Sequence, residues 1–142
     1  MSEKHVIEKT LSSNDLGLTG AHQAGILIPK DEIILSFFPH LDQTAVNPRV
    51  SLRFLDESGT YWRFNFIFYN NKFRGGTRNE YRLTGMTKFL NGAKLMSGDS
   101  ILFSKSEDDY LISYRRQSET EKETDNGIVK ITLSNAWRII EF

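Results

Sequence analysis

The 142-residue chain contains no cysteine. That excludes a disulfide framework, a cysteine-liganded zinc finger and a thiol nucleophile. Long apolar runs are missing as well. No stretch approaches the ~20 residues of a membrane-spanning helix, and the opening Met-Ser-Glu-Lys-His lacks the apolar centre of a signal peptide. A cytoplasmic protein with no membrane partner is expected. Excess charge of either sign is also absent: 18 Lys and Arg stand against 18 Asp and Glu. Total charge therefore supplies none of the general attraction to polyanions that a basic domain has.

Catalytic signatures are missing too. A common metal-dependent nuclease site needs an acid two residues before a lysine, so that carboxylates and lysine converge on metal and water. No lysine here has Asp or Glu at that spacing. His5, His22 and His40 are scattered, and the residues two positions on are Ile7, Ala24 and Asp42. That excludes a His-x-Lys phosphodiesterase pair and a spaced metal-ligand pair. There is no Gly-x-Ser-x-Gly elbow, no phosphate-binding loop and no dinucleotide fingerprint. The acidic run Glu107-Asp108-Asp109 is flanked by Ser106 and reads as a turn. No enzyme activity, metal or cofactor is expected.

What is present suits a packed core. Apolar residues make up 39% of the chain and charged residues 25%, ordinary proportions for one globular domain, here residues 1–142. Most of the chain alternates with the period of a strand. Extended segments are expected over 5–11, 23–28, 49–55, 61–69, 77–83, 101–103, 110–114, 128–133 and 137–140. The segments 49–55 and 61–69 flank Asp56-Glu57-Ser58-Gly59 as a hairpin. Along the second of these, Trp62, Phe64, Phe66 and Phe68 share one face, and Tyr61, Arg63, Asn65, Ile67 and Tyr69 the other. Residues 31–38 suit a short helix. Asp31 and Glu32 sit in its first turn, Ile33, Ile34, Phe37 and Phe38 form an apolar stripe that plugs a barrel, and Pro39 stops it. Residues 85–91 suit a helical turn, and Gln117 to Gly127 a polar loop. Many strands and two short helices in one domain point to a barrel or sandwich.

Two polar segments stand out from ordinary connectors. The first runs from Lys9 through Ser12, Ser13, Asn14, Asp15 and Thr19 to His22 and Gln23. The second runs from Lys72 and Arg74 through Gly75 and Gly76 to Thr77, Arg78, Asn79, Glu80, Tyr81 and Arg82. Both mix donors and acceptors with glycines that let backbone approach a ligand. Their residue types match the hydrogen-bonding pattern of the DNA major groove: Arg to guanine, Asn or Gln to adenine, Glu or Asp to cytosine. From Lys72 to Lys88 the basic residues Lys72, Arg74, Arg78, Arg82 and Lys88 face only Glu80, whereas Glu107 to Asp125 is mainly acidic. By composition and charge alone, solvated turns fit these segments as well as a binding surface does.

The same residues carry a resemblance. LSSNDLGLTGAHQAGILIP, residues 11–29, resembles the Leu-Ser-x-Asn-Asp start, Thr-Gly-x-His-Gln-x-Gly centre and Ile-Pro end found in the N-terminal effector-binding domain of the restriction endonuclease EcoRII and related DNA-recognition domains. TRNEYR, residues 77–82, is similar to that family's Thr-Arg-Asn-Glu-x-Arg. FLNGAKLMSGDSILF, residues 89–103, is similar to the Phe…Leu-x-x-Gly-Asp stretch of the plant B-three-type transcription factors, which share the fold. The resemblance implies a mainly β, seven-stranded open pseudobarrel with two short helices. It grips double-stranded DNA through two major-groove arms, here about residues 9–23 and 72–82. It carries over Lys9, Ser12, Asn14, Asp15, His22, Gln23, Thr77, Arg78, Asn79, Glu80 and Arg82 as DNA-binding residues. Departures are the lengthened Phe73-Arg74-Gly75-Gly76, the glycine before Thr77 and Tyr81 in place of a basic residue.

The function implied is sequence-specific DNA recognition for a type II restriction endonuclease, with a target such as CC(A/T)GG and a nuclease domain outside this chain. An autoinhibitory or protein-interaction domain of the same nuclease is the alternative. Arg78 and Glu80, two apart, are expected to face the groove together. Asn14 and Asp15 are expected to be separable from the fold.

Overall fold

The computed structural model describes residues 4–17, 25–71, 75–76, 78–107, 109–117, 131–132 and 136–141. Nine strands and two helices occur among them: β1 (Lys4–Thr10), β2 (Ile26–Ile28), α1 (Glu32–Ser36), β3 (Arg49–Leu55), β4 (Tyr61–Tyr69), β5 (Glu80–Thr84), α2 (Thr87–Gly92), β6 (Ser100–Ser106), β7 (Asp109–Arg115), β8 (Ile131–Thr132) and β9 (Trp137–Glu141). One sheet holds all nine in the order β2-β5-β4-β3-β7-β6-β1-β9-β8. Each of the nine extended segments read from periodicity overlaps one strand, and β6 and β7 run beyond both ends of theirs. The seven strands implied by the resemblance are too few, because β2 and β8 span only three and two residues at the ends of the sheet.

The hairpin of β3 and β4 forms as the alternation requires, with Val50 opposite Phe66, Leu52 opposite Phe64 and Phe54 opposite Trp62. Asp56 ties its turn. The carboxylate accepts from the N–H groups of Ser58 (2.8 Å) and Thr60 (2.9 Å) and from the Trp62 indole (2.8 Å). Hydrogen bonds from the Ser58 hydroxyl and the Trp62 indole hold its pKa down, from 3.8 to about 2. One connection is parallel: β3 pairs with β7 through Phe54 and Leu55. The sheet curls until its ends meet. The Trp137 indole on β9, fully buried, donates to the Leu27 carbonyl on β2 at 3.1 Å. That side-chain bond crosses the seam which no backbone ladder closes, leaving an open pseudobarrel.

Aromatic rings fill the interior. Phe54 and Phe64 lie 5.3 Å apart, and Phe103 stacks on Trp137 at 6.0 Å. The helix α1 starts where Asp31 caps it, its Oδ1 accepting from the N–H groups of Ile33 (2.9 Å) and Ile34 (3.1 Å). It is shorter than the sequence suggests, because Pro39 biases Phe38 away from helical backbone. Ile34, Phe37 and Phe38 are nevertheless buried, and Phe38 stacks on Phe66 at 4.6 Å. Further along the barrel α2 inserts Phe89, edge-on to Trp62 at 5.3 Å. No described helix is long and apolar enough to cross a membrane.

One buried charge has no counterpart in the sequence reading. Glu8 on β1 is fully buried, with Arg115 Nη1 at 3.7 Å and Arg138 Nη1 at 3.6 Å, ion-pair rather than hydrogen-bond distances. Two guanidiniums, Arg138 from the adjacent β9 and Arg115 from β7 beyond β6, thus compensate a carboxylate that burial alone would disfavour.

Phe66 sits at the centre of the ring packing, stacked between Phe38 and Tyr81. Phe66→Ala is expected to cost about 3–5 kcal/mol of unfolding free energy. Urea titration checks this, and a loss below ~1 kcal/mol would show that the site collapses around the deletion.

Candidate nucleic-acid interface

The first polar segment leaves β1 and turns back on itself. Ser12 N–H donates to Asp15 Oδ2 at 2.9 Å, and Asp15 N–H donates to Ser12 Oγ at 3.2 Å. Leu16 N–H closes the turn on the Ser12 carbonyl at 3.3 Å. This reciprocal arrangement is the capping-box pattern used without a long helix. Lys9 Nζ lies 3.3 Å from Asp15 Oδ2, and both side chains are less than a tenth exposed. Lys9 and Asp15 were expected to face a ligand. The structure instead joins them under the turn, because a buried ammonium and a buried carboxylate each need the other. Ser12, Ser13 and Asn14 remain on the exposed side.

The root of this turn is pinned from a distance. Leu11 N–H donates to the Asp99 carbonyl (2.7 Å), and Gly98 N–H donates to the Leu11 carbonyl (2.9 Å). The Asp99 carboxylate accepts from Met96 N–H (2.8 Å) and Gln117 N–H (2.9 Å). Gly98-Asp99 of the third sequence match is therefore a bracket for the first arm. Gly25 begins the return into β2 at φ +111°, where any Cβ would collide with the Leu83 carbonyl oxygen. Glycine is required there by close approach and by backbone.

The second segment is anchored by two residues that the sequence reading left inside a loop. Asn70, buried, donates its N–H to Asn47 Oδ1 (3.1 Å) and accepts the Asn47 N–H at Oδ1 (2.8 Å). Its amide also donates to the Ala45 carbonyl at 2.7 Å. Asn71 then holds the far side of the loop. Its carbonyl accepts Gly76 N–H (2.7 Å), and its Oδ1 accepts Arg78 N–H (2.9 Å). The adjacent asparagines at a strand end, each able to mimic backbone, were the available signal.

Arg78, Glu80 and Arg82 come together as one cluster. Glu80 Oε2 receives Arg82 Nε in a short hydrogen bond and lies 3.6 Å from Arg78 Nη2. The Arg78 guanidinium rests 3.7 Å above the Tyr69 ring. The three side chains stay part-exposed, so the cluster is ordered but reachable. Asn79 and Glu80 line an open cleft of about 510 Å³ together with Leu27, Pro29 and Asp31. Tyr81 is placed differently from its neighbours. Strand alternation turns it inward with Leu83, where its ring stacks on Phe68 at 4.4 Å and its hydroxyl accepts from Gln43 Nε2 at 3.3 Å. It is a packing residue. Thr19, His22, Gln23, Lys72, Arg74 and Thr77 lie outside the described residues.

Among the described residues no group of His, Asp and Glu could hold a metal ion. What the surface offers is donors and acceptors held at fixed positions.

Asp15→Ala removes the buried partner of Lys9 and the carboxylate that accepts the Ser12 N–H. It is expected to lower stability by about 3 kcal/mol, near the lower end for a broken buried pair. Ser13→Ala, at the exposed turn, should change stability by less than ~0.5 kcal/mol. Thermal unfolding of the two variants checks the division, and equal losses would show that the whole turn is structural.

Residues 1–105 match the family described as restriction endonuclease EcoRII, N-terminal. Auxin response factor 2 of Oryza sativa subsp. japonica is 31% identical over 138 residues, 96% of this chain and 18% of that protein. Auxin response factor 3 of Arabidopsis thaliana is 34% identical over 118 residues, 82% of this chain and 18% of that one. The chain thus spans under a fifth of the length of these relatives. Among solved structures, the Arabidopsis FUS3–DNA complex superposes with a TM-score of 0.59 at 21% identity, covering 77% of this chain and 94% of that one. This last likeness establishes the shared fold. With about three-quarters of its length matched, the chain belongs to the EcoRII N-terminal domain family.

Proposed function

We propose that residues 1–142 form one domain that binds double-stranded DNA sequence-specifically, with the two polar arms entering the major groove. The observation that carries this is the Arg78–Glu80–Arg82 cluster, stacked on Tyr69 and part-exposed at the root of a stapled loop. A guanidinium already stacked and paired loses little freedom on binding, and it retains N–H donors for the O6 and N7 of a guanine. Glu80 restrains both arginines through Oε2, and its carboxylate is an acceptor suited to a cytosine amino group. An internal Arg–Glu pair and base reading are thus one arrangement. Ser12, Ser13 and Asn14 supply the polar edge of the first arm, and Lys9 and Asp15 hold it in place. The similar solved fold is a complex with DNA, which supports a DNA-binding reading of this chain.

The matched family supports a narrower reading: a non-catalytic recognition domain of a type II restriction endonuclease, acting in the cytoplasm beside a nuclease domain outside this chain. A target with G·C pairs, of which CC(A/T)GG is the first to try, suits Arg78 and Glu80.

Selection from a random duplex pool tests the proposal. Recovery of one sequence class containing G·C pairs is expected, and equal recovery of all sequences would overturn it. Arg78→Ala should cost about 1–3 kcal/mol on the selected site and relax preference at one base pair. Arg78→Lys should rescue little, since an ammonium cannot make the paired bonds. A uniform loss on every duplex would make Arg78 a phosphate contact instead.

A further inference from the structure

We infer that the outer face of β3 and β4 is a phosphate-binding surface that carries the flank of the duplex held by the arms, with Arg53 and Arg63 as its ligands. This rests on the DNA-binding reading above and extends the footprint beyond the recognition arms. The two arginines are direct cross-strand partners, and both are exposed. Like charges placed opposite each other on a sheet destabilise it, so the fold gains nothing from setting the two side by side. No carboxylate among the described residues neutralises either one. Asp109, on the neighbouring β7, forms no ion pair with Arg53, whose guanidinium lies over the exposed Tyr61 ring at 4.2 Å.

Strand register places this pair on the same face as the recognition cluster. Arg63, Asn65, Ile67 and Tyr69 alternate along one side of β4. Ile67 stands opposite Arg49 on one flank and Arg82 on the other, and Tyr69 stands opposite Glu80. Described charges on this face are therefore Arg49, Arg53, Arg63, Arg82 and the Tyr69-stacked Arg78 against Glu80, which is already paired, and Asp109 on the neighbouring β7. Arg63 precedes Tyr69 by six residues, roughly 20 Å along the strand. A duplex carrying one negative charge per ~1.7 Å and seated at the arm has phosphates to offer over that distance. Exposed Ser51 and Asn65 add small polar side chains between the two sites. An overall neutral chain can bind a polyanion only through a segregated surface, and this face is one.

The test is the double variant R53Q/R63Q, which keeps side-chain length and removes both charges. Its thermal midpoint should equal or exceed that of the unaltered chain. On a duplex with about ten flanking base pairs at each end, the slope of log K against log salt should become shallower by about 1.8, since each phosphate contact contributes about 0.9. Between about 50 and 200 mM salt, the unaltered chain should then lose about 12-fold more affinity than the variant. On a duplex trimmed to the selected site, the two proteins should bind alike. An unchanged slope on the flanked duplex overturns the inference while the DNA-binding reading stands. Equal losses on trimmed and flanked duplexes overturn the flank assignment. Failure of the unaltered chain to bind any duplex overturns both. Unchanged DNA binding together with lost affinity for an acidic peptide would reassign the face to a protein partner.

Discussion

Phe64, Phe66 and Phe68 project from one side of β4, while Arg63, Asn65 and Tyr69 project from the other. That two-residue period is the constraint on which the remaining structure depends. The inward rings meet Phe38, Phe54, Phe89 and Tyr81, so the plugging helix α1, the partner hairpin strand and α2 all pack against this one strand. A slip of one residue would exchange the two faces, burying arginine and exposing phenylalanine. The same alternation that builds the core therefore also aims Tyr69, and through it Arg78, at the outer surface.

Binding loops need polar tips on rigid roots, and the two arms meet that requirement in different ways. The first is held by charge and backbone: Lys9 with Asp15, and Leu11 between Gly98 and Asp99. The second is held by amides, with Asn47 and Asn70 exchanging hydrogen bonds and Asn71 spanning from Gly76 to Arg78. In both arms, residues that would pass as ligand contacts on composition turn out to be fasteners. A polar side chain near the root of a loop is close to unpaired backbone, and satisfying that backbone takes precedence when the site is buried.

Charge shows the same division. Glu8, Lys9, Asp15 and Glu80 are all committed to internal partners. Arg53 and Arg63 have no carboxylate partner among the described residues, Arg53 lying instead over the Tyr61 ring. A net charge of zero thus conceals a surface on which arginine dominates locally, since carboxylates neutralised inside the fold or by neighbours project little field outward. The sequence showed a basic cluster from Lys72 to Lys88. It did not show that two arginines from a separate hairpin would extend it, because that juxtaposition depends on strand pairing.

Local pattern alone determined the extended segments, the hairpin around Asp56 to Gly59, the apolar stripe at Ile34, Phe37 and Phe38, and the polar character of both arms. These features are set by spacing of two or about 3.6 residues and by turn chemistry, all contained within a few positions of chain. Family resemblance added the open pseudobarrel and underestimated its strands, since β2 and β8 span only three and two residues yet complete the sheet. Tertiary structure decided which polar residues are tied inward, which way Tyr81 turns, where the barrel seam closes through Trp137 and Leu27, and why Asn70, Asn71 and Asp99 matter. Several of these rest on partners far apart in sequence: 110 residues for Trp137 and Leu27, 23 for Asn47 and Asn70, and 18 for Asp99 and Gln117. Periodicity carries no information over such distances, so burial and pairing there are settled only when the sheet curls.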